Sequence, residues 1–157
     1  MSLVVDSSAT LAWVYSEETT EAISEVLARL TDRGAWVPAL WKLEVANVLE
    51  MNVRRGRHDA AFRDAALEDL AVLPIRIDAE TDRHAWGATV RLAARHRLTT
   101  YDSAYLELAQ RRGLPLATLD KELRGDSRRR DFTGQIAASE LNGPPYFPHF
   151  AVKMLNS

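Results

Sequence analysis

Acidic residues in four separate segments are the side chains best placed to do chemistry: Asp6, Glu44, Asp102 and Asp120. Asp6 closes the apolar run Leu3-Val4-Val5, and Asp120 closes Leu116-Ala117-Thr118-Leu119. Short apolar runs ended by a polar residue read as buried parallel strands. Ligands of open α/β sheets bind outside the carboxyl ends of the strands, which is where both aspartates fall. Glu44 and Asp102 open helical stretches that can lean over the same edge. Two unit charges 4 Å apart repel by about 4 kcal/mol at an effective dielectric near 20. Four ionised carboxylates in one pocket therefore call for protons or cations to neutralise them. With only oxygen ligands, Mg²⁺ or Mn²⁺ is the natural choice. Two such ions about 3.5–4 Å apart activate a water and stabilise the leaving oxygen of a phosphodiester. The pattern points to a metal-dependent phosphodiesterase.

Each acid also has a plain local reading. Asp102 follows Thr99-Thr100-Tyr101 and could cap the helix after it. Glu44 sits in a first helical turn, where the dipole favours acids. Asp120 could start a helix at Lys121-Glu122-Leu123, and Asp6 could cap Ser8 to Tyr15. Capping would put all four helix starts at one sheet edge, so the two readings are compatible.

Net charge is −2, so the whole molecule is no general polyanion binder. The distribution says more. Arg111, Arg112, Lys121, Arg124, Arg128, Arg129 and Arg130 crowd one stretch, and Arg54-Arg55-Gly56-Arg57 ends a helix. Both groups suit solvated helix ends. Flanking an acidic pocket, they would also hold phosphates. Other chemistries lack their residues. There is no cysteine, so disulfides and thiolate metal sites are excluded. His58, His84, His96 and His149 show no metal-ligand spacing. Ser7-Ser8 has no Gly-x-Ser-x-Gly setting, and no glycine-rich phosphate loop occurs.

The elements that must position these acids alternate along the chain. Val4-Val5 is a strand, Ser8 to Tyr15 a short helix and Glu17 to Leu30 an amphipathic helix stopped near Gly34. Trp36 to Leu40 is a second strand, with a proline suited to a strand end. Helices follow over Lys42 to Arg55 and from Asp59 to about Leu73, then a strand at Pro74 to Ile77. A long helix from Asp78 to His96, a helix over Asp102 to Arg112 and a strand over Leu114 to Leu119 complete the series. Strands separated by helices imply an α/β fold with a parallel sheet covered on both faces. The 157 residues suit one domain. No apolar stretch reaches 18 residues, so no membrane span is expected, and no secretory signal is visible, which favours the cytoplasm. The tryptophans suit core or interface, with Trp13 the candidate for a partner contact. Beyond about Gly125 periodicity fades, and the segment Asn142 to Phe150 is rich in proline and aromatics.

Val4-Val5-Asp6-Ser7-Ser8-Ala9, Glu44-Val45-Ala46-Asn47-Val48-Leu49, Thr100-Tyr101-Asp102-Ser103-Ala104-Tyr105 and Leu116-Ala117-Thr118-Leu119-Asp120 together resemble the PIN-domain ribonucleases. The toxins of VapBC-type toxin–antitoxin pairs are the most similar group. The resemblance runs from about Leu3 to Leu123, with the motifs in the family's order. It implies a three-layer α/β/α sandwich with a mostly parallel sheet, over a nuclease domain of about residues 1–130 with an atypical tail at 131–157. It also implies an Mg²⁺- or Mn²⁺-dependent endoribonuclease acting on structured RNA such as tRNA or rRNA. Asp6, Glu44, Asp102 and Asp120 would be its catalytic and metal-binding acids. Ser8 and Thr118 match residues that orient the carboxylates, and Arg111, Arg112, Lys121 and Arg124 would meet RNA. A cognate antitoxin and a second copy of the chain are the implied partners. Two alternatives remain: a catalytically silent PIN scaffold, and a phospho-acceptor receiver domain, although the latter expects paired acids where Asp6 is followed by Ser7-Ser8.

Overall fold

Leu3, Val4 and Val5 form the central strand β1 (Leu3–Val5), and all three are wholly buried. An apolar side chain at every position demands cover on both faces. β1 pairs in parallel with β2 (Ala35–Val37) on one side and β4 (Leu116–Ala117) on the other. β2 pairs in parallel with β3 (Ile75–Ile77), giving the order β3-β2-β1-β4. The chain thus builds outward from β1 to β3 and returns to the far side of β1 for β4. The strand order reverses between β1 and β4, which is the topological switch point where such sheets open a crevice. The computed structural model describes residues 1–15 and 20–120.

The helices are α1 (Ser7–Val14), α2 (Glu21–Arg33), α3 (Trp41–Arg54), α4 (Ala60–Ala71), α5 (Thr81–His84), α6 (Val90–His96) and α7 (Thr100–Arg112). α1 packs on α2 and α3, α3 on α4, and α7 on β1 and α6. The result is a three-layer α/β/α sandwich. α1 is apolar nearly all round, with Ala9 to Val14 buried, and joins β1 in the core. Among the described residues, no helix is long and apolar enough to cross a membrane.

Four elements differ from the sequence expectation. β2 stops at Val37 because Pro38 has no N–H to extend the ladder. The long helix expected from Asp78 is split, since Asp78 lies beyond β3 and a π-helical turn at Ala85–Thr89 separates α5 from α6. Gly87, a weak helix former, sits in that turn. α7 begins earlier than Asp102, and Thr99 is its N-cap, accepting from the Asp102 N–H at 3.1 Å. β4 spans two residues, so Asp120 lies three residues past its end. Gly34 joins α2 to β2 at φ +73°, and a Cβ there would stand 3.0 Å from the Pro74 carbonyl. That carbonyl accepts from Ala35 N–H at 3.1 Å, so glycine permits the close approach of β2 and β3. The tail, and with it Lys121 and Arg124, lies outside the described residues.

Candidate active site

Asp6 is the N-cap of α1, accepting from the Ala9 N–H at 2.8 Å. It is also bonded to the other side of the switch point: its own N–H donates to the Ala117 carbonyl at the end of β4. The Ser8 hydroxyl donates to the carboxylate at 2.8 and 2.9 Å and accepts from the Leu119 N–H at 3.0 Å. The Thr118 hydroxyl also donates to the carboxylate and accepts from the Asp120 N–H at 2.9 Å. Ser8 and Thr118 therefore fasten Asp6 to the segment that carries Asp120. Burial pushes the Asp6 carboxyl pKa up and the charge of Asp120 adds to the rise, against the pull of its hydrogen bonds.

Glu44 lies in the first turn of α3, half-buried. Two contacts set its place. Trp41, which opens α3, donates its indole N–H to Thr10 Oγ1 at 3.0 Å, and Thr10 donates to the Asp6 carbonyl at 2.7 Å. From α7, the Tyr105 hydroxyl donates to Glu44 Oε2. Burial raises the Glu44 pKa, as do the charges of Asp102 and Asp6, while the Tyr105 bond opposes the rise. Asp102 sits in the first turn of α7 and accepts from the Thr99 hydroxyl at 2.5 Å. Tyr105 was not anticipated as a site residue. The signal was its spacing, three residues after Asp102 and so on the same helix face.

The structure thus brings the four acids within electrostatic reach as pairs: Asp6 with Asp120, Asp6 with Glu44, and Glu44 with Asp102. It does not close them on one point. Among the described residues, no three His, Asp or Glu side chains form a group able to hold a metal ion as they stand. Hydrogen bonds to neighbouring hydroxyls hold Asp6, Glu44 and Asp102. In chemistry the donor set still fits a hard divalent cation: all carboxylate oxygen, partly buried and mutually repelling. Burial above all, and the neighbouring carboxylates to a smaller extent, raise the pKa values of Asp6 and Glu44, and a cation beside them would offset both costs.

Arg111 and Arg112 are placed elsewhere. They end α7, about three turns from Asp102, and engage acids of their own. Arg111 donates to Asp78 at 2.7 Å, Glu107 at 2.8 Å and Glu80 at 3.2 Å. Arg112 donates to Asp78 at 2.9 Å and stacks 3.5 Å from the centre of the Trp36 ring. Burial alone would raise the pKa of Asp78, but the two guanidiniums outweigh it and hold the carboxyl below its usual range. Both arginines line a cleft of about 460 Å³ with Ser2, Trp36, Glu80 and Leu114, and none of the four acids borders it. Of the two places expected for the tryptophans, core or interface, Trp13 takes the core: it is buried and donates to the Ile23 carbonyl at 3.0 Å. Trp86 is the exposed tryptophan.

A PIN domain family model matches residues 3–125. The chain is 35% identical over 127 residues to Ribonuclease VapC3 of Pyrobaculum aerophilum, covering 78% of this chain and 92% of that protein. It is 34% identical over 123 residues to Ribonuclease VapC3 of Mycobacterium tuberculosis, covering 77% of this chain and 84% of that protein. The crystal structure of PAE2754 from Pyrobaculum aerophilum superposes with a TM-score of 0.63 at 22% identity, over 100% of this chain and 97% of that one. The chain therefore belongs to the PIN-domain family, and within that family it groups with VapC. The receiver-domain alternative falls with that assignment.

Proposed function

We propose that this chain is an Mg²⁺- or Mn²⁺-dependent endoribonuclease, the toxin of a toxin–antitoxin pair, which cuts structured RNA such as tRNA or rRNA with water as the nucleophile. The observation that carries the reading is the set of mutually repelling carboxylates at the β1/β4 switch point of a PIN fold. The names of the VapC relatives support the ribonuclease activity. Asp6, Glu44, Asp102 and Asp120 would hold the cation. The chemistry it supplies when bound is charge neutralisation at the phosphate and acidification of a water. The chain's own residues prepare the site. Ser8 and Thr118 fix Asp6, and Thr10 and Trp41 hold the start of α3 against it. Tyr105 occupies Glu44 Oε2 and Thr99 occupies Asp102 Oδ2, so a cation would be held through Glu44 Oε1 and Asp102 Oδ1. Water attack in line at phosphorus leaves a 5′-phosphate and a 3′-hydroxyl. An antitoxin segment filling the acidic crevice would block substrate, and a second copy of the chain would complete the assembly.

The test is cleavage of total bacterial RNA by purified protein in Mg²⁺ and in EDTA, beside Asp102→Asn. Discrete Mg²⁺-dependent fragments with 3′-hydroxyl ends, absent from the variant, support the proposal. RNA left whole by protein stripped of any bound antitoxin would favour a silent PIN scaffold.

A further inference from the structure

The Tyr105 hydroxyl is a second polar link between the acidic residues. Its ring is 1% exposed and packed in the core on α7, one turn past Asp102. The hydroxyl donates to Glu44, 61 residues away on α3, and shares a hydrogen bond with Ser7 at the start of α1. The charges of Glu44 and Asp6 both act on it. One atom thus touches or senses α3 and α7, which carry Glu44 and Asp102, and the start of α1, which Asp6 caps. Glu44 has no other side-chain hydrogen bond among the described residues to hold its carboxylate. An unrestrained glutamate on a first helical turn would swing toward solvent and away from Asp102 and Asp6, because like charges drive it there.

We propose that Tyr105 is a positioning residue that sets the divalent-cation affinity of the site by holding the Glu44 carboxylate in place between Asp6 and Asp102. This rests on the reading of the four acids as a cation site. Tyr105 touches neither cation nor RNA in this account and works through Glu44 alone. Hydrogen bonds that orient metal-binding carboxylates from outside typically change metal affinity by about 10–100-fold when removed.

The experiment is Mn²⁺ titration by calorimetry of four full-length proteins: wild type, Tyr105→Phe, Glu44→Gln and the double variant. Phenylalanine keeps the ring in the core, and thermal midpoints in EDTA verify that each protein is folded at the assay temperature. Tyr105→Phe is expected to weaken Mn²⁺ binding at least about tenfold. In the Glu44→Gln background the same change should cost less than about twofold, because the group it acts through has been altered. Affinity unchanged in Tyr105→Phe, or lost equally in both backgrounds, overturns the proposal. Should Glu44→Gln bind too weakly to titrate, the wild type and Tyr105→Phe decide alone. A folded wild type that takes up no Mn²⁺ overturns the cation-site reading itself, and this inference with it.

Discussion

Replacing Thr10 by valine tests how the fold holds two of the acids in register. Thr10 is wholly buried on α1, and its hydroxyl joins the Asp6 carbonyl to the first residue of α3. Valine has nearly the same shape, so little cavity forms. What changes is polar. The Trp41 indole N–H, on a ring 5% exposed, loses its acceptor. A buried donor left unsatisfied costs about 1–3 kcal/mol. The Asp6 carbonyl loses a 2.7 Å bond but keeps the Thr10 N–H at 3.1 Å, so this second loss is smaller, about 0.5–1 kcal/mol. Together they come to about 1.5–4 kcal/mol, and at roughly 2–4 °C per kcal/mol for a chain of this size the midpoint should fall by about 3–16 °C. Differential scanning calorimetry in EDTA reads this directly. Cleavage measured well below the midpoint should also fall, because Glu44 follows Trp41 by one turn. A midpoint lowered by less than about 2 °C would refute the reasoning, since it would mean that Trp41 has another acceptor and Thr10 is no link.

Further outcomes follow from the same geometry. Asp6 and Glu44 have carboxyl pKa values raised above their ordinary 3.8 and 4.5, so the folded protein holds more protons than the unfolded chain in that window. Stability in EDTA should therefore decline as pH rises through those raised values. Asp78, held below 3.8, acts oppositely: its contribution is present above that value and disappears as pH falls through the lowered one. Thermal midpoints between about pH 4 and 8 should thus peak on the acidic side, and Asp6→Asn should flatten the decline toward neutrality. Asp78→Asn leaves Arg111 and Arg112 facing a neutral group. With those side chains 20% and 28% exposed, the expected loss is about 3 kcal/mol, near the low end for a broken buried pair, as read by urea unfolding. Trp13→Ala should cost about 3–5 kcal/mol by the same method. Trp86→Ala, at a side chain 96% exposed, should stay within about 0.5 kcal/mol.

What the sequence revealed depended on whether the signal was local. β1 announced itself as an unbroken apolar run, and Asp59 as a cap, since its carboxylate accepts from the Phe62 N–H at 2.8 Å. The placement of Asp6 past a central strand needed only that run and the rule for open sheets. The cap of α7 was misplaced, although the signal was there: Thr99 with an acid three residues on is a capping-box spacing. The choice between core and interface for Trp13 had its signal in the helix around it. From Ala9 to Val14, α1 is apolar nearly all round, which itself marks a buried helix. Contacts between distant segments left no local trace. Tyr105 meets Glu44 across 61 residues, and Arg111 and Arg112 meet Asp78 across 33 and 34, so nothing local disclosed these partners.

The central claim is that these acids act as one site with a divalent cation, and it can be tested without knowing the RNA. Thermal midpoints of wild type, Asp6→Asn and Asp102→Asn would be followed as Mn²⁺ is added after EDTA treatment. Binding to the folded state alone should raise the wild-type midpoint with concentration, by about 2.7 kcal/mol of stability at a hundredfold excess over Kd. Both variants should respond far less, and Asp6→Asn should start from a higher midpoint in EDTA. Identical midpoints and identical Mn²⁺ responses in all three proteins would contradict the account.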